Sequence, residues 1–193
     1  MIPKEELTTV ILAGGTSRRM GRDKAFLDLN DQTFIERILQ VVKKVTPQVI
    51  IIANTLQYNS LNVPVYPDLM KDCGPVGGIY TAMEIVETPY LLVLSCDIPL
   101  LNTAVLKHLI NESVPCDANI LTTEGHWQPL TAIYNSKTKS IFKKALDAKT
   151  LKLRSLLASM SLHEIACPKV LIPCLNNINT PNDLKEMRDG YKN

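Results

Sequence analysis

Thr8 to Ala13 is an unbroken run of β-branched and apolar residues, and it opens at once onto a loop holding Gly14, Gly15 and Gly21 together with Arg18, Arg19, Arg22 and Lys24. A run that is apolar on both faces reads as a strand buried on both sides, as in a parallel sheet covered by helices. Open sheets of that kind bind ligands beyond the carboxyl ends of their strands, so the loop stands where a ligand is expected. Glycines let backbone amides approach an anion, and the cations neutralise the charge a polyphosphate carries. The loop is a phosphate-binding candidate; the competing reading is a solvated basic turn. Bulk charge does not supply such a site. Lys plus Arg number 21 against 19 Asp plus Glu, a net +2, too balanced to advertise a nucleic acid or an anionic membrane as partner.

Spacing excludes two familiar glycine loops. A Walker A loop needs Gly-Lys-Ser/Thr after a gap of four, and here Gly21 follows Gly15 by six positions and precedes Arg22. The G-x-G-x-x-G fingerprint of dinucleotide-binding folds is likewise not formed by Gly14, Gly15 and Gly21.

Further strands are expected at Val49 to Ala53, Val63 to Tyr66, Tyr90 to Ser95, Ala118 to Thr122, Leu130 to Tyr134 and Val170 to Leu175. Helical periodicity lies between several of them. Thr33 and Glu36 form a capping-box pattern ahead of a helix running to about Val45, where Pro47 stops it. Ile79, Ala82, Met83 and Val86 mark a helix after a Gly74-Pro75-Val76-Gly77-Gly78 turn, and Val105 to Ile110 one capped by Asn102 or Thr103. Helices are also expected over Lys139 to Leu146, Leu153 to Met160, and after Thr180 with Pro181 in the first position. Strands alternating with helices predict an α/β fold with a mainly parallel sheet. With no repeat, low-complexity tract or Gly/Ser linker, residues 1–193 are expected to form a single domain.

The five cysteines form no C-x-x-C pair and the three histidines lack zinc spacing, which points to reduced thiols in a cytoplasmic protein. Two adjacent glutamates near the N-terminus argue against a signal peptide, and no apolar run approaches the ~20 residues that cross a bilayer. Trp127, His126 and the cysteines read as packing or surface residues, and His108 as solvated.

Four further groups carry chemistry. Asp97 follows the strongly apolar strand ending at Ser95, where a carboxylate can anchor Mg²⁺ against substrate phosphates; the alternative is a cap for the next helix. Asn54 and Asp68 lie at the same sheet edge and can bond ribose hydroxyls or a base, or simply form turns. The Gly74 to Gly78 segment either offers amides to a ligand or is a tight turn. Asn177 and Asn179, two apart in an extended segment, project to one side. They either complete a metal or substrate site or serve as turn and cap residues. No Ser/His/Asp or Cys/His arrangement stands out, which suits an in-line displacement at phosphorus because that needs alignment and charge neutralisation and no covalent nucleophile.

The segments LAGGTSRRMGRDK, GPVGG, CDIP, QPLTAIY and NINTPNDL occur in the order found in molybdenum cofactor guanylyltransferases and span essentially the whole chain. The sequence closely resembles that family. The resemblance implies a Rossmann-like nucleotidyltransferase fold with helices on both faces of the sheet, using Mg²⁺ to transfer GMP from GTP to molybdopterin with release of pyrophosphate. It further implies GTP contacts from Leu12, Ala13, Gly14, Gly15, Lys24, Asn54, Asp68 and Asp97. Arg18 and Arg19 would meet phosphates, Asp97 would bind the metal, and Asn177 and Asn179 would lie near metal and pterin. Catalytic roles are thus implied for Arg18, Arg19, Lys24, Asp97 and Asn179. Related cytidylyltransferases carry Ala-Ala-Gly where this chain has Ala13-Gly14-Gly15, so guanine is favoured, while Val76 replaces the family's usual leucine conservatively. Expected partners are the two substrates and, transiently, cofactor-insertion proteins or client molybdoenzymes. The rival expectations are CTP or a sugar phosphate as substrate, or a non-catalytic nucleotide- or pterin-binding adaptor.

Overall fold

The computed structural model describes residues 2–13 and 23–190. Among these residues seven strands form one sheet in the order β3-β2-β1-β4-β6-β5-β7. They are β1 (Leu7–Leu12), β2 (Gln48–Ile52), β3 (Val65–Tyr66), β4 (Tyr90–Ser95), β5 (Ala118–Thr123), β6 (His126–Asn135) and β7 (Leu162–Ala166). β1, β2, β3 and β4 pair in parallel, β6 runs antiparallel to both β4 and β5, and β7 returns parallel to β5. The chain moves outward from β1 to β3 and then crosses back to place β4 on the other side of β1. The carboxyl ends of β1 and β4 therefore flank the point where strand order reverses, which is where such sheets bind ligands.

Among the described residues six helices cover the sheet: α1 (Phe34–Val42), α2 (Gly74–Ile85), α3 (Thr103–Glu112), α4 (Lys139–Asp147), α5 (Leu153–Leu157) and α6 (Pro181–Gly190). Alternate residues of each strand feed opposite faces. Ile11, Ile51, Leu92 and Leu94 pack against Ile35 and Ile38 of α1 and Val105 and Leu106 of α3. Val10, Ile50, Leu91 and Val93 pack against Ile79 and Met83 of α2, Phe142 of α4 and Leu156 of α5. Each such buried side chain contributes about 1.5–3 kcal/mol relative to exposure. The two threonines inside β1 are also buried, and their hydroxyls are satisfied by Thr88 at 2.7 Å and Thr46 at 2.5 Å. A small third cluster joins Leu29 and Phe34 to Ile178 and Leu184, which fastens the C-terminal segment beside α1.

The structure departs from the sequence expectations in the second half and at several helix ends. The Gly74 to Gly78 segment is the first turn of α2, with Pro75 in its opening positions. Proline suits that place because its missing N–H would have had no partner there. A side-chain carbon on Gly78 would sit 2.9 Å from Leu12 Cδ2, so glycine lets α2 close onto the end of β1. The expected strand at Val170 to Leu175 is a 3-10 helix, Lys169–Leu175, interrupted by Pro173, whose missing N–H disfavours a sheet ladder. The seventh strand is instead the edge segment Leu162–Ala166, where only Ile165 is buried and no apolar run betrays it. The capping box of α1 forms as expected, yet the helix ends at Val42 and the chain turns through Lys43 to Val45. α5 stops at Leu157, and β6 begins at His126. His108 is half-buried, with Nε2 3.0 Å from the Ala166 carbonyl, where a solvated side chain was expected. No helix among the described residues is long and apolar enough to cross a membrane.

Candidate active site

A cleft of about 510 Å³ opens over the carboxyl ends of β1, β2 and β4, and Leu12, Ala13, Lys24, Asn54, Asp68 and Asp97 line it. The ladder delivers them there: the Ala13 amide bonds the Ile52 carbonyl at 2.9 Å, and Ala53 bonds Tyr66 at 3.0 Å, so the strands stay in register to the lip. Gly14, Gly15, Arg18 and Arg19 lie outside the described residues.

Asn54 and Asp68 form a reciprocal pair. Asn54 Nδ2 donates to Asp68 Oδ2 at 2.8 Å and the Asp68 amide donates to Asn54 Oδ1 at 3.0 Å. Two loops fourteen residues apart are thereby locked together, which goes beyond what separate turn formers do. Asp68 Oδ1 is buried without a hydrogen-bond partner among the described residues, and partial burial raises the Asp68 carboxyl above its ordinary value against the lowering bond from Asn54. An unpartnered carboxylate oxygen at the wall of a cleft is an acceptor open to a ligand's donor.

Asp97 follows β4 directly. Ser95 Oγ donates to its Oδ1, while α3 takes its cap from Asn102, whose side chain accepts from the Val105 amide at 3.0 Å. The helix-cap alternative for Asp97 is thus removed. The Asp97 carbonyl in turn accepts from the Ile178 amide at 2.9 Å. That bond, with Ile178 buried in the third cluster, sets Asn177 and Asn179 outward on the opposite side of the strand-like segment. Asn179 Oδ1 accepts from Lys24 Nζ at 2.7 Å, across 155 residues of chain. Asp183 Oδ2 accepts the backbone amides of Asn179 and Thr180 at 2.8 and 2.9 Å, which holds this turn ahead of α6 and keeps the Asp183 carboxyl below its usual value. Lys24 and Asp97 line the cleft and Asn179 joins them through its bond to Lys24; Asn177 and Asn179 are both exposed and neither lines the cleft itself.

Sequence reasoning passed over two supports. Asp23 caps the short turn Lys24–Phe26 through the Ala25 amide, and its other oxygen accepts from the hydroxyl of the buried Tyr58 at 2.7 Å. Tyr58 also packs on Phe26 with ring centroids 4.9 Å apart. The pairing anchors the short turn that carries Lys24, and a lone aromatic within a polar stretch was its only signal. Cys96 lies between the acids; burial first, then Asp97 and Asp23, push its thiol up to about 12. It stays protonated at neutral pH and is no nucleophile. All five cysteines are free thiols.

The sequence profile of the MobA-like NTP transferase domain matches residues 9–165. This chain belongs to the MobA-like NTP transferase family. Within that family it is similar to a probable molybdenum cofactor guanylyltransferase of Flavobacterium johnsoniae, 37% identical over 184 residues that cover 95% of this chain and 97% of the relative. A protein of the same name from Carboxydothermus hydrogenoformans is 31% identical, covering 95% of both chains. Among solved structures, the molybdopterin-guanine dinucleotide biosynthesis protein A of Archaeoglobus fulgidus superposes with a TM-score of 0.81 at 26% identity, covering 96% of this chain and 98% of that one. The chain is a MobA-like nucleotidyltransferase on the Rossmann-like fold, as its motifs implied.

Proposed function

We propose that this enzyme transfers the GMP moiety of GTP to the terminal phosphate of molybdopterin and releases pyrophosphate, with Mg²⁺ as the metal. The observation that carries the proposal is that one cleft gathers Lys24, Asp97 and the Asn54–Asp68 pair, with Asn179 bonded to Lys24 from its rim. The names of the relatives support the same two substrates.

In this reading the nucleoside lies against Asn54 and Asp68, where a hydroxyl or amine donates to the buried Asp68 Oδ1. Gly78 leaves the space beside that oxygen open; a side-chain carbon there would stand 3.6 Å from it, in ordinary contact. Lys24 Nζ exchanges its neutral partner Asn179 for phosphate oxygens, whose charge adds an attraction that the amide oxygen lacks. Arg18 and Arg19 add positive charge along the triphosphate. Release by Lys24 leaves the Asn179 amide oxygen turned toward the same space as the Asp97 carboxylate. These oxygen donors suit a hard cation that also takes phosphate oxygens and water, so Asp97 would hold Mg²⁺ and Asn179 would assist. When bound, the metal supplies charge neutralisation at the reacting phosphate.

An acceptor phosphate oxygen then attacks the α-phosphorus in line. The new P–O bond forms as the bond from the α-phosphorus to the bridging oxygen breaks, and pyrophosphate departs with that electron pair. The chain's own groups supply alignment and charge, and no protein atom becomes covalently attached. Asn177, exposed beside Asn179, would meet the pterin side. We place the enzyme in the cytoplasm, handing its product transiently to cofactor-insertion proteins or client molybdoenzymes.

The test is to incubate the protein with Mg²⁺, molybdopterin and each of the four nucleoside triphosphates in turn and weigh the products. A GMP adduct from GTP alone is expected. A CMP adduct, adduct formation on glucose 1-phosphate when it is supplied in place of molybdopterin, or binding without pyrophosphate release would each replace the proposal with a different activity.

A further inference from the structure

Gln128-Pro129-Leu130-Thr131 belongs to one of the motifs that carry the family resemblance, yet nothing in the nucleotide half of the cleft uses it. β6 pairs with β4 from Asn135 opposite Tyr90 to Thr131 opposite Leu94, and the pairing ends there. On its other edge, Ala132 stands opposite Ile120 while Gln128 stands opposite Leu121. Pro129, Leu130 and Thr131 therefore form a bulge on the β5 side, and Leu130 lies one residue past the last β4 pair, level with the Ser95 to Asp97 turn. Bulges next to active sites re-aim a side chain. Here Leu130 lines the same cleft as Asp97.

The bulge is held from within. Tyr134 is fully buried, packs edge-on against Phe142 with centroids 5.9 Å apart, and donates its hydroxyl to the Pro129 carbonyl at 2.7 Å. Gln128 Nε2 donates to Thr123 Oγ1 at 2.6 Å. These polar groups serve the hairpin, and Leu130 turns an apolar surface to the cleft. Sheet order fixes the rest. Asn54 and Asp68 follow β2 and β3, on one side of the β1–β4 reversal, and Leu130 sits on β6, on the other. With strands roughly 4.8 Å apart, Asp97 lies between the two walls, about two strand spacings from β2 and one from β6.

We propose that the β6 bulge is the acceptor wall of the cleft, with Leu130 as a specificity-determining contact and Tyr134 as the positioning residue that sets it; the proposal rests on the transferase reading above. An apolar wall whose neighbouring polar groups are engaged favours a phosphate ester with a flat ring system. A sugar phosphate would lose water from its hydroxyls there without finding partners.

Steady-state transfer from GTP to molybdopterin in the presence of Mg²⁺, paired with calorimetric GTP binding without acceptor, tests it. Leu130→Trp is expected to raise the KM for molybdopterin about tenfold or more while the GTP Kd stays within about twofold, which also shows that the variant folds. Tyr134→Phe keeps the ring and removes the bond to Pro129; it should raise the same KM about threefold with kcat at saturating acceptor unchanged. A Leu130→Trp protein in which the GTP Kd rises as much as the acceptor KM overturns the proposal, because the bulge then belongs to the nucleotide. Two unchanged constants in an active protein overturn it as well, leaving the transferase reading intact. Wild-type protein that neither binds nor consumes GTP overturns both.

Discussion

The two halves of the sheet build their share of the cleft in different ways. In the parallel half, β1, β2, β3 and β4 run in simple register, so every strand ends at the same lip and the residues just past those ends, Ala13, Asn54, Asp68 and Asp97, converge by topology alone. In the mixed half, β6 runs the other way, and its contribution comes from a bulge in mid-strand held by Tyr134. A parallel sheet advertises its site by strand ends, whereas an antiparallel insertion can contribute only where its pairing is broken. The C-terminal segment belongs to neither half and is tied to both sides of the reversal point, through Ile178 to Asp97 and through Asn179 to Lys24.

If that division holds, substitutions should sort by which substrate they affect. Asp97, on the seam, should show the largest effect: Asp97→Asn is expected to lower kcat about a thousandfold or more, roughly 4 kcal/mol, while GTP binding without metal survives. Mg²⁺ titration at fixed GTP reads this, and an ordinary metal dependence in the variant would remove Asp97 from the site. Lys24→Ala should lower kcat/KM for GTP by about 30- to 150-fold, roughly 2–3 kcal/mol, with the melting temperature within about 2 °C of the parent. Wild-type values at sub-saturating GTP would make Lys24 a surface residue. Asn179→Ala should cost about tenfold in turnover, roughly 1.4 kcal/mol. Its melting temperature should barely move, because Asp183 holds the Asn179 backbone amide and that bond survives the substitution. Early melting with intact specific activity would instead make Asn179 a structural turn residue.

The smallest effect concerns pH. Burial raises the Asp68 carboxyl, so the folded protein keeps that proton to higher pH than the unfolded chain does. The stability this contributes is present below the unfolded pKa and is lost as pH rises through the folded one. Asp68→Asn should therefore melt progressively higher than the parent as pH rises from about 4 to 7, while binding GTP about tenfold more weakly. A stability gap that shrinks with rising pH would mean that the charged carboxylate is favoured in the fold.

The same contrast governs what was legible in the sequence. β1, β2 and β4 are buried on both faces and show as continuous apolar runs, and Tyr90–Ser95 falls where its run does. Asn54, Asp68 and Asp97 were visible as polar residues directly after such runs. β7 was not, because an edge strand with a single buried residue has no apolar period, while the apolar Val170 to Leu175 stretch drew attention to a segment that its proline bends into a 3-10 helix. The bulge in β6 was hidden for another reason: Pro129-Leu130-Thr131 has no local signature, and its register depends on partners in two other strands. Contacts as distant as Lys24–Asn179 or Asp23–Tyr58 depend on the whole fold and leave no trace in local pattern.

The most direct test of a two-sided cleft is a crystal structure of the protein with Mg²⁺ and an α,β-methylene analogue of GTP. The nucleoside is expected against Asn54 and Asp68, with Lys24 Nζ moved from Asn179 to a phosphate oxygen, the α-phosphate beside Asp97, and Leu130 untouched by the nucleotide. Lys24 still bonded to Asn179, with the guanosine lying against Leu130, would contradict the account.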